Sequence, residues 1–464
     1  MNSKYKNLVK DTLIFAVGGI GSKLILFFLI PLYTNYLSTE EYGIADLIFT
    51  LSQFIIPFVS LVVFDAVVRF ALSKNEKKED VLLCSLVVWG IGSIVTILAT
   101  PLIGLYAPIA KWKWHLCIYV IVNIFMNIEL NYIKAKEQNK LYAIISIVQT
   151  LAMALSNILF IVIIPLGIDG YVLANIIGSL VAALGIFLFG RIFKDIRNAK
   201  FSSSLLKRML VFSAPLVLNN VSWWAIHSAN KIIVELMLGA SVLGIYTVAT
   251  KIPSLINVLI SIFQQSWGIS SVKEIESSND STFYSNIFNM FSFIAFSMSI
   301  GLILIIKPLM TVYVGESFVE AWKYIPLLLA SATFSAISSY FVSLYSALKK
   351  SVNNMITTLI GAIANVVVSI VFVRYIGLWG AIVGTFVAYF ILGIIRMIDA
   401  TRFIKMKIDV WRFTINSIIL IAQAILVSLE IEIYLVSGIA IVLFVILNFK
   451  FLKSLFVKLK GRKL

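Results

Sequence analysis

Residues 81–107 run VLLCSLVVWGIGSIVTILATPLIGLYA, with no charged side chain among them. A helix rises about 1.5 Å per residue, so roughly 20 such residues cross the ~30 Å hydrocarbon core of a bilayer. The apolar run is continuous rather than alternating, which favours a helix over a half-buried strand. Inside lipid every backbone N–H and C=O must be bonded within the protein, which leaves helices or closed barrels as spanning structures. Lys77, Lys78, Glu79 and Asp80 precede the run, and Lys111 and Lys113 follow it.

Working outward, comparable segments fall at 12–35, 43–69, 115–133, 141–164, 170–190, 209–235, 242–270, 283–312, 322–347, 353–374, 379–400, 411–429 and 433–451. The chain of 464 residues is 60% hydrophobic and 13% charged, against roughly 45–50% and 25% in soluble domains. The excess apolar surface needs lipid to cover it. The expected fold class is an all-α integral membrane protein with about 14 transmembrane helices. The first apolar stretch, from Leu13 to Tyr36, exceeds a signal-peptide core of about 7–15 residues and is taken as a retained span. Cys84 and Cys117 stand apart in apolar helices, where packing is their expected role.

Charge placement tests this division. On one side of the spans lie 29 of the 38 lysines and arginines, among them Lys4, Lys136, Arg197, Arg208, Arg396, Arg412 and Lys460. The other side carries Lys111, Lys113, Lys323 and Arg374, together with acids such as Glu40, Glu41, Glu316, Glu320, Glu430 and Glu432. The basic side is expected to be cytoplasmic, with both termini there. The net charge of +16 is thus a topology signal and does not point to nucleic acid.

Short motifs recur about 200 residues apart, as in repeat-built transporters. Val9-Lys10 with Leu13-Ile14-Phe15-Ala16 resembles Leu206-Lys207 with Leu210-Val211-Phe212-Ser213. Leu37 with Gly43-Ile44 resembles Leu238 with Gly244-Ile245, and Leu166-Gly167-Ile168-Asp169-Gly170 resembles Ile376-Gly377-Leu378-Trp379-Gly380. The expected organisation is an N-terminal six-helix lobe (1–200), a C-terminal six-helix lobe (201–403) and two extra helices with a basic cytoplasmic tail (404–464). Six is even, so the lobes would be parallel repeats about an axis along the membrane normal, with a cleft between them.

The sequence carries no HExxH, Gly-x-Ser-x-Gly, Asp-rich metal motif or phosphate loop. The expectation is therefore a transporter rather than an enzyme, without cofactor or metal, and without ATP as its direct energy source. Charges inside spans are costly and mark the candidate path. Lys23, Arg69, Lys231 and Lys251 are the candidate substrate-binding cations, Lys23 and Lys251 lying several turns from either helix end. Asp65 stands four residues before Arg69 and Glu235 four after Lys231, so local ion pairs are the alternative for those two. Lys307, near an outer end, is expected to snorkel. Asp46 and Asp65 are candidate ion-coupling acids; Glu129 is a further acid for which interfacial capping is the simpler role. Span 209–235 is unusually polar, and Asn219, Asn220 and Trp223 are added to the candidate substrate site because amides beside aromatics suit sugars. A basic cleft selects an anionic cargo, such as a phosphate or an acidic sugar.

Three further motifs carry a family resemblance. Pro31-Leu32-Tyr33 with Leu37, Tyr42 and Gly43, then Phe64-Asp65 through Arg69-Phe70, then Leu243-Gly244-Ile245-Tyr246 through Lys251-Ile252, occur in this order. Together they resemble the Wzx-type polysaccharide flippases of the multidrug/oligosaccharidyl-lipid/polysaccharide exporter superfamily, over nearly the whole chain. An acidic–basic pair often found there at the end of helix 7 is Asn230-Lys231 here. The resemblance implies flipping of undecaprenyl-diphosphate-linked oligosaccharide from the cytoplasmic to the outer leaflet of the bacterial inner membrane, for O-antigen, capsule or another surface polysaccharide. It implies as partners the lipid bilayer, that lipid-linked cargo, a polysaccharide polymerase and a chain-length regulator. A drug or metabolite exporter of the same fold is the alternative.

Overall fold

The computed structural model describes residues 25, 27–73, 75–277, 281–348, 350–404 and 406–460, and nearly all of its ordered elements are helical. Helical residues 27–36 form α1. Ser38 then starts the next helix by a reciprocal cap. Its hydroxyl accepts from the Glu41 N–H, and the Glu41 carboxylate accepts from the Ser38 N–H at 2.9 Å. Span 43–69 turns out to be two helices, α2 (Thr39–Ser60) and α3 (Val63–Ala71). Between them Leu61 and Val62 adopt left-handed φ of 48° and 54°. The Ser60 hydroxyl satisfies the freed Val62 N–H at 3.1 Å, and Pro57 lies one turn earlier. Side chains with a Cβ are strained in that region, and a β-branched one most.

The first unit continues through α4 (Lys78–Ile103), a 3₁₀ turn (Ala107–Trp112), α5 (Lys113–Ala135), α6 (Asn139–Asn157), α7 (Ile168–Phe189), short α8 (Ile192–Asn198) and α9 (Ser203–Leu238). The last turn of α6 widens into a π-helix over Ile158–Ile163. Next come α10 (Ala240–Ser277), α11 (Ser281–Tyr313), a 3₁₀ segment (Glu316–Tyr324), α12 (Ile325–Ala347), α13 (Ser351–Ile376), α14 (Leu378–Phe403), α15 (Val410–Ser428) and α16 (Ile433–Lys460). Eleven helices among the described residues are long and apolar enough to cross a membrane. The described residues of α1, with α10 and α16, fall on the other three of the about fourteen expected spans, and the chain is a multi-pass, all-α membrane protein.

The chain folds as two compact units, Met1–Gly244 and Ile245–Leu464. In the first, α5 packs on α2, α3, α4 and α7, while α9 lies against α2 and α3. In the second, α12 is the central helix, packed against α11, α14 and α15. It is apolar all round and buried along most of its length, as such a helix must be. Its Tyr340 ring stacks with those of Trp267 and Phe291 and meets Phe288 edge-on, Phe263 stacks on Phe291, and the Trp267 indole donates to the Tyr340 carbonyl at 3.1 Å. Toward the outside the packing is reversed in character. Leu98 and Leu102 on α4 and Val312 on α11 are 72%, 69% and 89% exposed, a surface that only lipid can cover.

The two glycine motifs adopt one geometry in both units. Gly167 stands before α7 with φ 58° and ψ −127°, and Gly377 before α14 with φ 57° and ψ −136°. Side chains with a Cβ avoid that region. Three residues later, a Cβ on Gly170 would strike the Phe160 carbonyl, and one on Gly380 the backbone at Phe372–Val373.

Candidate functional site

Four elements of the first unit line a partly open hollow of about 610 Å³. Gln53, Ile56 and Pro57 come from α2 and Phe64 from α3; Asn123, Met126 and Asn127 come from α5; and Asn220, Trp223, Trp224, His227 and Ser228 come from α9. Among the described residues, His227 is the one titratable side chain in its lining.

The α5 wall owes its polarity to asparagines four residues apart, which place Asn123, Asn127 and Asn131 on one helix face. Asn127 Nδ2 donates to Asn123 Oδ1 at 2.8 Å, and Asn131 Nδ2 to the Asn127 carbonyl at 2.9 Å. Asn123 Nδ2 reaches the Tyr119 hydroxyl at 3.4 Å. The stripe was missed at the sequence level, although its signal, amides at i, i+4 and i+8 in an apolar span, is present. Opposite it, Trp224 is fixed by its indole N–H donating to the Thr50 carbonyl at 3.0 Å and by Phe54, ring to ring at 4.6 Å. Trp223 lies parallel to His227, with centroids 5.6 Å apart and planes 10° apart. Asn220 holds the Leu216 carbonyl at 3.0 Å. Asn219, expected beside it, is exposed and not part of the lining.

One turn past His227, Lys231 reaches Asp46 of α2 at 2.6 Å. The side chains are only 17% and 7% exposed, so each charge compensates the other in a place where neither is well hydrated. The pairing expected with Glu235 is not made; the Tyr106 hydroxyl donates to Glu235 instead. Nor do Asp65 and Arg69 pair. Both are exposed, and the Arg69 guanidinium lies over the Phe212 ring at 4.8 Å. With Lys207, Arg208 and Phe212, Arg69 lines a separate, basic crevice of about 390 Å³, and Glu76 holds Arg208 at 2.6 Å. Lys251 is half-buried on α10 in the second unit, Lys307 lies over the Trp322 ring at 4.9 Å, and Lys23 falls outside the described residues.

The second unit holds a cation that the sequence reading grouped with the loop charges. Arg396 is 1% exposed. It donates to Ser338 Oγ at 2.8 Å, Asn354 Oδ1 at 2.8 Å, Thr357 Oγ1 at 3.0 Å and Thr358 Oγ1 at 2.7 Å. A planar guanidinium with five donors can join three helices in this way, and here it ties α12, α13 and α14. No group of three or more metal-ligating side chains occurs among the described residues.

Residues 8–268 match the family described as "Polysaccharide biosynthesis protein". No curated protein matches the chain. Among solved structures, the lipid II flippase MurJ in an inward closed conformation superposes with a TM-score of 0.73 at 16% identity, covering 96% of this chain and all of that one. A multidrug resistance MATE family transporter of the MOP superfamily gives a TM-score of 0.63 in its inward-facing conformation, at 16% identity over 82% of this chain and 98% of that one. An outward-facing conformation of such a transporter gives 0.62 at 15% identity, over 85% and 94%. At these identities the likeness is one of fold, and that fold is the one shared by the flippase and the exporters.

Proposed function

The chain belongs to the polysaccharide biosynthesis protein family, and from that premise we propose that it flips undecaprenyl-diphosphate-linked oligosaccharide from the cytoplasmic to the outer leaflet of a bacterial inner membrane. The single observation that carries the choice of cargo is the hollow walled by tryptophans and amides. A pyranose presents an apolar C–H face and an equatorial rim of hydroxyls. Aromatic planes such as Trp223 suit the face, and amides such as Gln53, Asn127 and Asn220 suit the rim. A lipophilic drug suits a pocket lined predominantly by apolar side chains, with polar groups few in number.

The diphosphate end calls for cations. Lys23, Arg69, Lys231 and Lys251 are the residues we assign to it, Arg69 with Lys207 at the inner mouth. Lys231 would serve only in a state that releases it from Asp46. Cargo moves by alternating access of two six-helix lobes that are parallel repeats, with α15 and α16 as additions, and with both termini cytoplasmic. The shared geometry of Gly167 and Gly377 supports the repeat. Export is coupled to an ion gradient and feeds a polymerase and a chain-length regulator making O-antigen, capsule or a similar polymer. The protein itself performs no covalent step.

The test is reconstitution into vesicles with a fluorescent undecaprenyl-diphosphate oligosaccharide in the inner leaflet. Purified protein is expected to make the label accessible to an outside reagent. Trp223→Ala is expected to slow this by about tenfold, the loss of about 1.4 kcal/mol of stacking. Wild-type protein that leaves the lipid in place but exports cationic dyes would replace this reading with that of a drug exporter.

A further inference from the structure

We infer that Glu129 on α5 is the proton-carrying site of the transport cycle, an assignment that rests on the flippase reading and specifies how its gradient is used. Glu129 is 0% exposed, and neither carboxyl oxygen has a hydrogen-bond partner. Among the described residues no lysine, arginine or histidine forms an ion pair with it. A carboxylate so enclosed lacks everything that stabilises its charge, and it takes up a proton rather than remain ionised there. The two acids expected from the sequence to couple ions differ on this point. Asp46 is committed to Lys231, and Asp65 is exposed to solvent.

Its position joins it to the candidate sugar site. Met126, one helical turn away on the same face of α5, lines the hollow, as does Asn127. Glu129 therefore lies one turn beyond Met126 at the wall of the hollow, on the side of α5 turned away from the asparagine stripe. The helices against α5 bring few charges near it. On α2, Asp46 is paired with Lys231. On α3, Arg69 stacks on Phe212 and Asp65 is exposed. On α4, Lys78 donates to the Ala135 carbonyl of α5 at 3.0 Å, Asp80 accepts from the Lys200 N–H, and the Cys84 thiol meets the Ser202 carbonyl. On α6, Tyr142 lies under Lys134, and on α7 Asp169 is held by Trp112 and His115. At the foot of α5, Asp195 takes both Tyr132 and Lys136.

The chemistry is a reversible uptake of one proton, carboxylate plus H⁺ giving the neutral acid, with no bond to carbon changed. In this conformation the group is enclosed, with no hydrogen-bond donor to either oxygen. Releasing its proton creates a charge that must be solvated, so release requires that the wall at Met126 part and admit water from the hollow. α3 packs on α5 and begins at the left-handed Leu61–Val62 break, a strained joint in that wall. Proton loss and opening at this point are therefore linked, and each biases the other.

The test uses the full chain in lipid. Infrared difference spectra of wild type and Glu129→Gln at neutral pH, without cargo, are expected to show a protonated-carboxyl C=O band that the variant lacks. Glu129→Gln keeps the size and neutrality of the protonated acid and is expected to insert normally. It should lose the stimulation of flipping by a proton gradient about tenfold, while keeping gradient-free exchange of labelled lipid across the bilayer. A carboxyl band unchanged in Glu129→Gln, or gradient-stimulated flipping equal to wild type, overturns the assignment. If Glu129→Gln does not insert, Glu129→Asp decides, since a band that fails to move in it excludes Glu129 as its source. The infrared arm needs no cargo, so wild-type protein that flips no lipid-linked sugar would refute the flippase reading while the band still judges the proton site.

Discussion

A lysine and an aspartate that the sequence assigns to different tasks prove to be one unit. Asp46 and Lys231 are 185 positions apart, and nothing in periodicity or spacing links them. Asp46 lies in the first turns of α2, and Lys231 near the end of α9, and only the packing of those helices joins them. Removing one partner leaves the other charge without compensation. Lys231→Ala is expected to cost about 3 kcal/mol, the lower end of the range for buried pairs, because Lys231 retains some exposure. The double variant Asp46→Asn/Lys231→Met should recover most of that loss. Thermal unfolding in detergent of the two single and one double variant forms the cycle that checks it. Arg396 teaches a related lesson. Its charge and helix position are evident from the sequence, yet its burial is not, because the hydroxyl and amide acceptors that make burial tolerable are supplied by two other helices.

Among the elements, spans were legible because their length is set by the bilayer and their composition by the absence of water. What the sequence did not disclose is where a span stops being one helix. Residues 43–69 contain no glycine after Gly43, and their apolar run is unbroken at Leu61-Val62, so the local cues to the break are only Pro57 and the Ser60 hydroxyl before it. The reverse holds at the glycine joints, where the motif was visible beforehand and its backbone geometry explains it. Gly377→Ala is expected to cost about 1–3 kcal/mol, the strain of placing a Cβ at that φ and ψ. Gly167→Ala should cost more, because its new Cβ would also stand 3.1 Å from Glu41 Oε1 and disturb the cap of α2. Denaturation midpoints of the two variants, with Gly167→Ala the lower, would check the ranking.

For the whole molecule, the ion pairs join segments that the charge pattern assigns to the same side. Segments assigned to the acidic side meet one another, Lys111 with Asp169 at 3.9 Å and Lys323 with Glu430 at 2.9 Å. Segments assigned to the basic side do likewise, Lys136 with Asp195 and Arg208 with Glu76. Lys323 holds the Glu430 carboxyl below its usual range by hydrogen bonding and by its charge. A carboxyl depressed in the folded state adds stability above its unfolded pKa of about 4.3, and that contribution fades as pH falls through the folded value. Glu430→Gln should therefore lower the unfolding temperature slightly at pH 7, with the difference from wild type vanishing in strong acid; melting curves across pH check this. The candidate site was half legible. Trp223 and Asn220 stood out as polar residues in an apolar helix, while the α5 amides and the neutrality of the hollow emerged only from the way four helices converge.

That neutrality separates two grips on one molecule. Ions in the medium screen formal charges over a distance of about 8 Å at 0.15 M but leave stacking and amide contacts nearly untouched. For the cargo proposed above, the glycan end should then hold equally well in dilute buffer and in brine, whereas the pyrophosphate end should loosen as ionic strength rises. A titration with sodium chloride would thus tell which end of the cargo a given step is holding.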